Sequence, residues 1–514
     1  MWDGIYTGIT TAVMPFNLLM VFAGCFAGTF IGMLPGLGPV SAVALMIPIT
    51  YGLDPSSGII LMAGVYYGAV FGGSTSSILI NAPGCASTVV TAFDGYPLAR
   101  QKQAGKALAI AAYSSFTGGT IGAIILLFAA PALAKVSLSF QSSDYFALMF
   151  LGFTAVAAFS GKGQVVKALI MCVFGLMIAT VGTDVTSGIP RFTFGSLEVI
   201  DGVSFLLLAM ATFALAEILM TVMRGDHNNA ENAIDIKDVG SMKLTKAEVK
   251  EIAPTMVRSS LFGFLVGVLP GAGATIASFL AYGFERTLAS AKDKLKFGKG
   301  SLKGLAAPES ANNAASTGSF VPLLTLGIPG SGTTAIMLGA LIAYGIQPGP
   351  RLFVDNPEIF WSVIISMYIG NLVLLVMNLP LIPYIARLLS IPSQILIPLV
   401  LFFSITGVYL VSFNTFDIVM MVAIAGIAIF LRLLDFAMAP MLLGFILGGI
   451  MESNLARALA IHDGSLSFLW ERPLTMWIII IAFLVLLLPP LLGGINKFRE
   501  KKYIEKAVLG NTGD

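Results

Sequence analysis

The 514-residue chain is 57% hydrophobic and 11% charged, with a mean hydropathy of +0.90 and a formal net charge of +2. Soluble domains carry about a quarter charged residues; this chain has too few polar side chains to cover a water-facing surface, so the bilayer is its solvent. The near-neutral balance argues against a nucleic-acid partner. Cys25, Cys85 and Cys172 form no C-x-x-C pair, and His227 and His462 are the only histidines, which argues against metal, disulfide or imidazole chemistry.

Met1 to Asn17 lacks Lys and Arg and runs straight into patterned apolar sequence, so it does not read as a secretory leader. A spanning helix needs about 20 apolar residues. Clear candidates are 17–34, 106–130, 144–160, 164–183, 202–223, 358–379, 393–411, 416–434 and 473–493. Shorter or Gly/Pro-broken apolar stretches lie at 39–53, 58–80, 257–284, 311–328, 333–346 and 437–451. The expectation is an all-α polytopic membrane protein of roughly 10–14 membrane segments. A first membrane half, 1–223, is followed by a charged cytoplasmic linker, 224–256, a second half, 257–493, and a basic cytoplasmic tail, 494–514. Loop 285–307 holds Arg286, Lys292, Lys294, Lys296, Lys299 and Lys303. The positive-inside rule puts it on the cytoplasmic face, together with the segment containing Arg100, Lys102 and Lys106.

Part of the sequence occurs twice. Gly32-Met33-Leu34-Pro35-Gly36-Leu37-Gly38 matches Gly267-Val268-Leu269-Pro270-Gly271-Ala272-Gly273, a register of 267 − 32 = 235. Ile80-Asn81-Ala82-Pro83-Gly84-Cys85-Ala86-Ser87-Thr88 matches Leu326-Gly327-Ile328-Pro329-Gly330-Ser331-Gly332-Thr333-Thr334, a register of 329 − 83 = 246. A longer linker in the second copy accounts for the difference. That linker is the Lys-rich loop, whereas its counterpart, Tyr51 to Ser57, has no basic residue; beyond the second break the bias swaps, towards Arg100, Lys102 and Lys106 in copy one. Equivalent loops therefore fall on opposite faces, the signature of an inverted repeat spanning about 17–130 and about 257–379. Loops 51–57 and 346–357 are expected on the periplasmic side.

Pro removes a backbone donor and clashes with the preceding turn, and such backbone survives in a membrane only inside protein or along a cavity. Secondary transporters bind ligands there: half-helix N-termini aim N–H groups at anions and loose carbonyls hold cations. The expected substrate site is therefore the breaks and their hydroxyls. In copy one it comprises Pro35, Gly36, Gly38, Ser74, Thr75, Ser76, Ser77, Asn81, Pro83 and Gly84. In copy two it comprises Pro270, Gly271, Gly273, Asn312, Asn313, Thr317, Pro329, Gly330, Ser331, Gly332, Thr333 and Thr334. Small residues also pack membrane helices, as in Gly24-x-x-x-Gly28-x-x-x-Gly32, and each single Ser or Thr has that alternative.

Asp94 and Glu309 lie beside the breaks and are candidates for coupling a cation or proton. Glu217 reads as snorkelling from a helix end; Arg432 with Asp435, and Glu452 with Arg457, read as local ion pairs. No Arg or Lys lies in either repeat core, so an anion there is expected to meet helix dipoles and a co-bound cation.

The stretches G-M-L-P-G-L-G-P, Y-Y-G-A-V-F-G-G-S-T-S-S-I-L-I-N-A-P-G and F-D-G-Y-P-L-A in copy one, with P-E-S-A-N-N-A-A-S-T-G and L-G-I-P-G-S-G-T-T-A-I-M-L-G-A-L in copy two, resemble the large membrane subunit of tripartite tricarboxylate transporters, the TctA family. The resemblance covers nearly the whole chain. It implies a bacterial inner-membrane importer of tricarboxylates or related carboxylates, driven by Na⁺ or H⁺ and without any other cofactor. It also implies two partners: a small membrane subunit (TctB-like) and a periplasmic solute-binding protein (TctC-like). The absence of a Walker-type G-x-x-x-x-G-K-[ST] agrees with secondary transport. An intramembrane enzyme would want a His, Cys or paired-carboxylate constellation, which the breaks lack. A re-entrant-helix channel is the other reading.

Overall fold

The computed structural model describes residues 2–34, 37–158, 164–184, 188–224, 240–271, 273–385, 397–398, 401–402, 404–406, 408–409 and 413–487. Pro35 and Gly36, residues 225–239 of the expected linker, most of the apolar run 393–411, and the basic tail 494–514 lie outside the described residues. The described residues are predominantly helical, with a short antiparallel pairing of Gly182–Thr183 with Pro190–Arg191. Among the described residues, seven helices are long and apolar enough to cross a membrane, and five shorter apolar helices accompany them. Their outward faces carry Leu19, Phe22, Phe26, Phe128, Ile170, Val173, Leu265, Leu372, Val376 and Val422, a density of exposed apolar side chains suited to lipid.

In chain order, α1 (Trp2–Ala12) precedes the first copy, which is built from α2 (Pro15–Met33), α3 (Gly38–Thr50), α4 (Pro55–Ile80), α5 (Val89–Leu98) and α6 (Ala104–Ser137). Next come α7 (Ser142–Ala158), α8 (Val165–Ala179) and a run of α9 (Phe205–Ala209), a π-helical turn (Met210–Leu215) and α10 (Ala216–Arg224). The second copy is α11 (Lys246–Val268), α12 (Gly273–Leu288), the short α13 (Ala291–Lys294), α14 (Leu302–Gly318), α15 (Phe320–Leu326), α16 (Gly332–Ala343), α17 (Pro350–Asp355) and α18 (Pro357–Asn378). Helices Thr415–Leu433, Ala439–Ile461 and Pro473–Leu487 follow. A capping box, in which Thr245 and Glu248 satisfy each other's backbone N–H, starts α11 inside the stretch that composition assigns to the linker.

Glycines set how the copies pack. Gly24, Gly28 and Gly32 of α2 lie against the carbonyls of Leu61, Val65 and Ala69 of α4, too close for any Cβ. Gly263 and Gly267 of α11 meet the carbonyls of Ala311 and Ala315 of α14 in the same way. The contacts obey the registers of the motifs, since 263 − 28 = 235 and 311 − 65 = 246. Partner numbers rise together along each seam, so α2 runs parallel to α4, and α11 to α14. In each copy the intervening helix must bring the chain back, which makes α2–α3 and α11–α12 hairpins.

The copies run antiparallel. Ser74 of α4 touches Glu309 of α14, while Tyr66 and Tyr67, earlier on α4, stack on Phe320, later in copy two. They also exchange helices: α6 of copy one packs on α14, with Gly118 against Ser310, and α18 of copy two packs on α4 and α2, with Gly370 beside Cys25. At one end of the molecule Asp94 Oδ1 accepts from the N–H groups of Gly298, Gly300 and Ser301 at 2.9, 2.9 and 2.7 Å, tying α5 to the Lys-rich loop. At the other end the Tyr344 hydroxyl donates to the Thr50 carbonyl, tying α16 to the α3–α4 linker. The two equivalent linkers thus lie at opposite ends, as an inverted repeat requires.

Two measurements follow. In a background lacking native cysteines, an impermeant maleimide should label Gly52→Cys from outside and Lys296→Cys only from inside, both sites being exposed; labelling from one common side would contradict the antiparallel arrangement. Gly28→Val and Gly263→Val should each lose at least the ~1–3 kcal/mol typical of overpacking, read as a lowered melting temperature in detergent. Gly283→Val, where a Cβ meets nothing within 4 Å, should be tolerated.

Candidate functional site

The breaks repeat in backbone geometry as well as in sequence. Each hairpin tip begins with an extended leucine, Leu34 (φ −77°, ψ 121°) or Leu269 (φ −73°, ψ 124°). It closes on a glycine of positive φ, Gly38 (+58°) or Gly273 (+60°). At the second break α4 ends on left-handed Asn81 (φ 53°) and α15 on left-handed Gly327 (φ 69°). The next helical segment then starts from a capping box, Cys85 with Thr88 or Ser331 with Thr334. Within copy two the breaks touch, the Gly271 N–H donating to the Gly330 carbonyl at 3.1 Å. Copy one is as tight: Gly84 sits against the Gly32 carbonyl and the Gly73 Cα.

Described residues from all four breaks line one cavity of about 750 Å³. Gly38, Pro83, Gly84, Gly271, Gly273, Ser331, Gly332 and Thr333, all expected from sequence, line it. So do Ser41, Tyr66, Ser87 and Thr275. Helices α3, α12 and α16 and the turn before α5 begin at its wall. The first N–H groups of a helix have no partner within it, and four positive helix ends around one space favour an anion. Tyr66 and Ser331 close the gap between the copies, their hydroxyl oxygens 3.4 Å apart.

The other expected residues are placed elsewhere. Pro270, Pro329, Gly330 and Thr334 belong to the breaks without reaching the wall. Ser76 and Ser77 donate to the Gly73 carbonyl of their own helix at 3.1 and 2.7 Å. Thr317 donates to the Asn313 carbonyl at 3.1 Å, and the Asn313 amide donates to the Asn312 side chain at 2.6 Å. Asn81 is exposed. Helices α4 and α14 are buried on all sides, so successive hydroxyls point to different neighbours, and on α4 only Tyr66 and Val70 reach the cavity.

One turn beyond Val70, Ser74 donates to both carboxylate oxygens of Glu309 at 2.7 and 2.8 Å. Ser115 donates at 2.7 Å, and Thr91 also bonds to it. Three helices of copy one thus surround a fully buried carboxylate of copy two, with no salt-bridge partner among the described residues. Beside it, Thr75, Phe71, Leu108 and Asn378 leave a void of about 10 Å³, about the space of one water. Asp94 is occupied instead by the backbone of the 298–301 loop.

Two ion-pair expectations and the expected snorkelling of Glu217 are corrected. Arg432 pairs with Glu217 rather than with Asp435, because Asp435 lies past the helix end with φ 63° and leaves the Arg432 face. Asp435 meets Lys167 at 3.8 Å, and Glu452 meets Arg191 at 2.5 Å. Glu217 is inward rather than snorkelling. Moreover Arg432 and Glu217 both line the cavity, so a fixed basic side chain does face the site, supplied from outside the repeats. Arg432 and Glu217 each stood out in the sequence as a charge near the end of an apolar span; their pairing, across 215 positions, carried no signal.

The tripartite tricarboxylate transporter TctA family matches residues 18–443. The chain belongs to the TctA family. A protein of Agrobacterium vitis described as an uncharacterized 52.8 kDa protein in the TAR-I ttuC′ 3′ region is 41% identical over 500 residues, 97% of this chain and 98% of that protein. A second A. vitis protein, described as uncharacterized and in the TAR-II ttuC′ 3′ region, is 40% identical over 243 residues, covering 47% of this chain and 99% of its own length. No solved structure matches. As a TctA-family membrane transporter component, the chain places its family motifs on the cavity wall: L-P-G-A-G and P-G-S-G-T-T supply Gly271, Gly273, Ser331, Gly332 and Thr333.

A hydrogen bond to a charged group contributes about 1.5–3 kcal/mol. Thr333→Val should therefore raise the transport KM about tenfold or more. Ser77→Ala, Thr317→Ala and Asn81→Gly should leave KM near wild type, measured in vesicles at matched expression.

Proposed function

We propose that this chain is the large membrane subunit of a cation-coupled secondary transporter that imports tricarboxylates or related small carboxylates across a bacterial inner membrane. A periplasmic solute-binding protein would deliver the substrate and a small membrane subunit would accompany the chain. The observation that carries this reading is the convergence of four Pro-Gly breaks, from two antiparallel copies, on one cavity. Helix N-termini from both copies face the same space, so a bound anion can be handed from one copy's side to the other. The Lys-rich loop would be cytoplasmic and the α3–α4 linker periplasmic.

Glu309 is the residue we assign to coupling. A buried carboxylate held, among the described residues, by hydroxyl oxygens can take up H⁺, or share Na⁺ with those same oxygens, without altering a described salt bridge. Ser74 stands one turn from Val70 of the cavity wall, so occupancy of the carboxylate bears on the site through α4.

In proteoliposomes supplied with the binding protein, uptake of labelled citrate, succinate or malate should saturate, show counterflow, and collapse when both Na⁺ and H⁺ gradients are abolished. Undiminished uptake without either gradient would refute coupling, and non-saturating flux without counterflow would indicate a channel. Glu309→Gln should lose gradient-driven accumulation by at least about tenfold while retaining substrate counterflow. Accumulation that survives this change would move the coupling site elsewhere.

A further inference from the structure

Helix Thr415–Leu433 is largely lipid-facing, with Val419, Val422, Ile427, Phe430 and Leu433 exposed. Near its end Arg432 turns inward. One guanidinium nitrogen pairs with Glu217, the other terminal nitrogen donates to the Thr212 carbonyl at 2.7 Å, and the Phe213 ring lies 6.0 Å from Cζ. Its Nε is buried without an acceptor. Thr212 and Phe213 belong to the π-helical turn Met210–Leu215, whose wider spacing frees a carbonyl for such an outside donor. The described lining of the cavity otherwise consists of neutral groups and helix ends, and Arg432 and Glu217 are its charged side chains.

An ion pair taken out of water recovers little more than its desolvation cost, so stability does not explain two charges on the wall of a cavity. The chemistry of the cavity does. A guanidinium accepts one planar carboxylate in place of another with no change in its own geometry. We propose that Arg432 is the anchor for a substrate carboxylate, and that Glu217 is an internal stand-in which the entering carboxylate displaces. This rests on the transport reading above and adds to it a residue that requires the cargo to be a carboxylate. With the cavity empty, Glu217 keeps the guanidinium neutralised; with cargo bound, the substrate does so, and further carboxylates fall to the helix N-termini at Gly273 and Gly332. Competition from Glu217 also keeps binding weak enough for release.

The test uses the full chain purified in detergent, with citrate, succinate and malate as probes, reading dissociation constants by calorimetry and ligand-induced shifts in melting temperature. Glu217→Gln should tighten binding about tenfold and slow counterflow in proteoliposomes. Arg432→Gln should weaken binding about a hundredfold, and Arg432→Lys should weaken it less. The double variant Glu217→Gln/Arg432→Gln leaves no unpaired charge, so it should fold like wild type and still bind about a hundredfold more weakly. Recovery of wild-type affinity in the double variant would make the pair structural only and overturn the assignment, as would unchanged affinity in Arg432→Gln. If the wild-type chain bound none of the carboxylates, the transport reading would fall, and this inference with it.

Discussion

In hydrocarbon an unsatisfied backbone N–H or C=O costs several kcal/mol, and each Pro-Gly break frees some of both. The described residues of the four breaks line or flank a cavity within the protein, and their placement there depends on how closely α2 approaches α4 and α11 approaches α14. Glycine at one position per turn lets backbone meet backbone along each seam, and any side chain there would prise the pair apart. The seams hold each hairpin tip beside the second break of its own copy. Left-handed Asn81 and Gly327 then reverse the chain so that the next helical segment starts at the same depth.

Repetition turns this local solution into a shared cavity. One copy would present its freed N–H groups to a single side. Two antiparallel copies, locked by the exchange of α6 and α18, present theirs from both sides of one space. The same arrangement places equivalent linkers of the two copies at opposite ends of the molecule. The pairings of Asp94 with the 298–301 loop and of Tyr344 with Thr50 mark these ends and pin the linkers there.

Charge is used sparingly and in two distinct ways. Glu309 is buried among hydroxyls with no cationic side chain among its described contacts, an arrangement that leaves a cation or proton as its natural complement. Arg432 is given a carboxylate partner at the cavity wall, an arrangement in which another carboxylate can substitute. The first group lies inside the repeats, where α4, α5 and α6 meet α14. The second is contributed by helices outside them, which is why the repeat core alone looked devoid of basic groups.

The sequence by itself determined that the chain lives in a bilayer, that it contains two copies, and where each copy is broken. Hydropathy, Pro-Gly chemistry and paired motif registers are local properties, and the packing of Gly28 and Gly263 obeys the same register as the motifs. Eight of the residues read from those motifs line the cavity: Gly38, Pro83, Gly84, Gly271, Gly273, Ser331, Gly332 and Thr333. The hydroxyls of α4 and α14 were not legible, because a helix buried all round has no polar face to betray which way Ser74 or Thr317 points. Nor were the partners of Arg432 and Glu309, since spacing rules extend only a turn or so along one helix. Their partners lie on other helices, 215 positions from Arg432 and 235 from Glu309 in the case of Ser74. Only tertiary packing, which brings such distant turns together, decided which polar groups line the cavity and which bond to other helices.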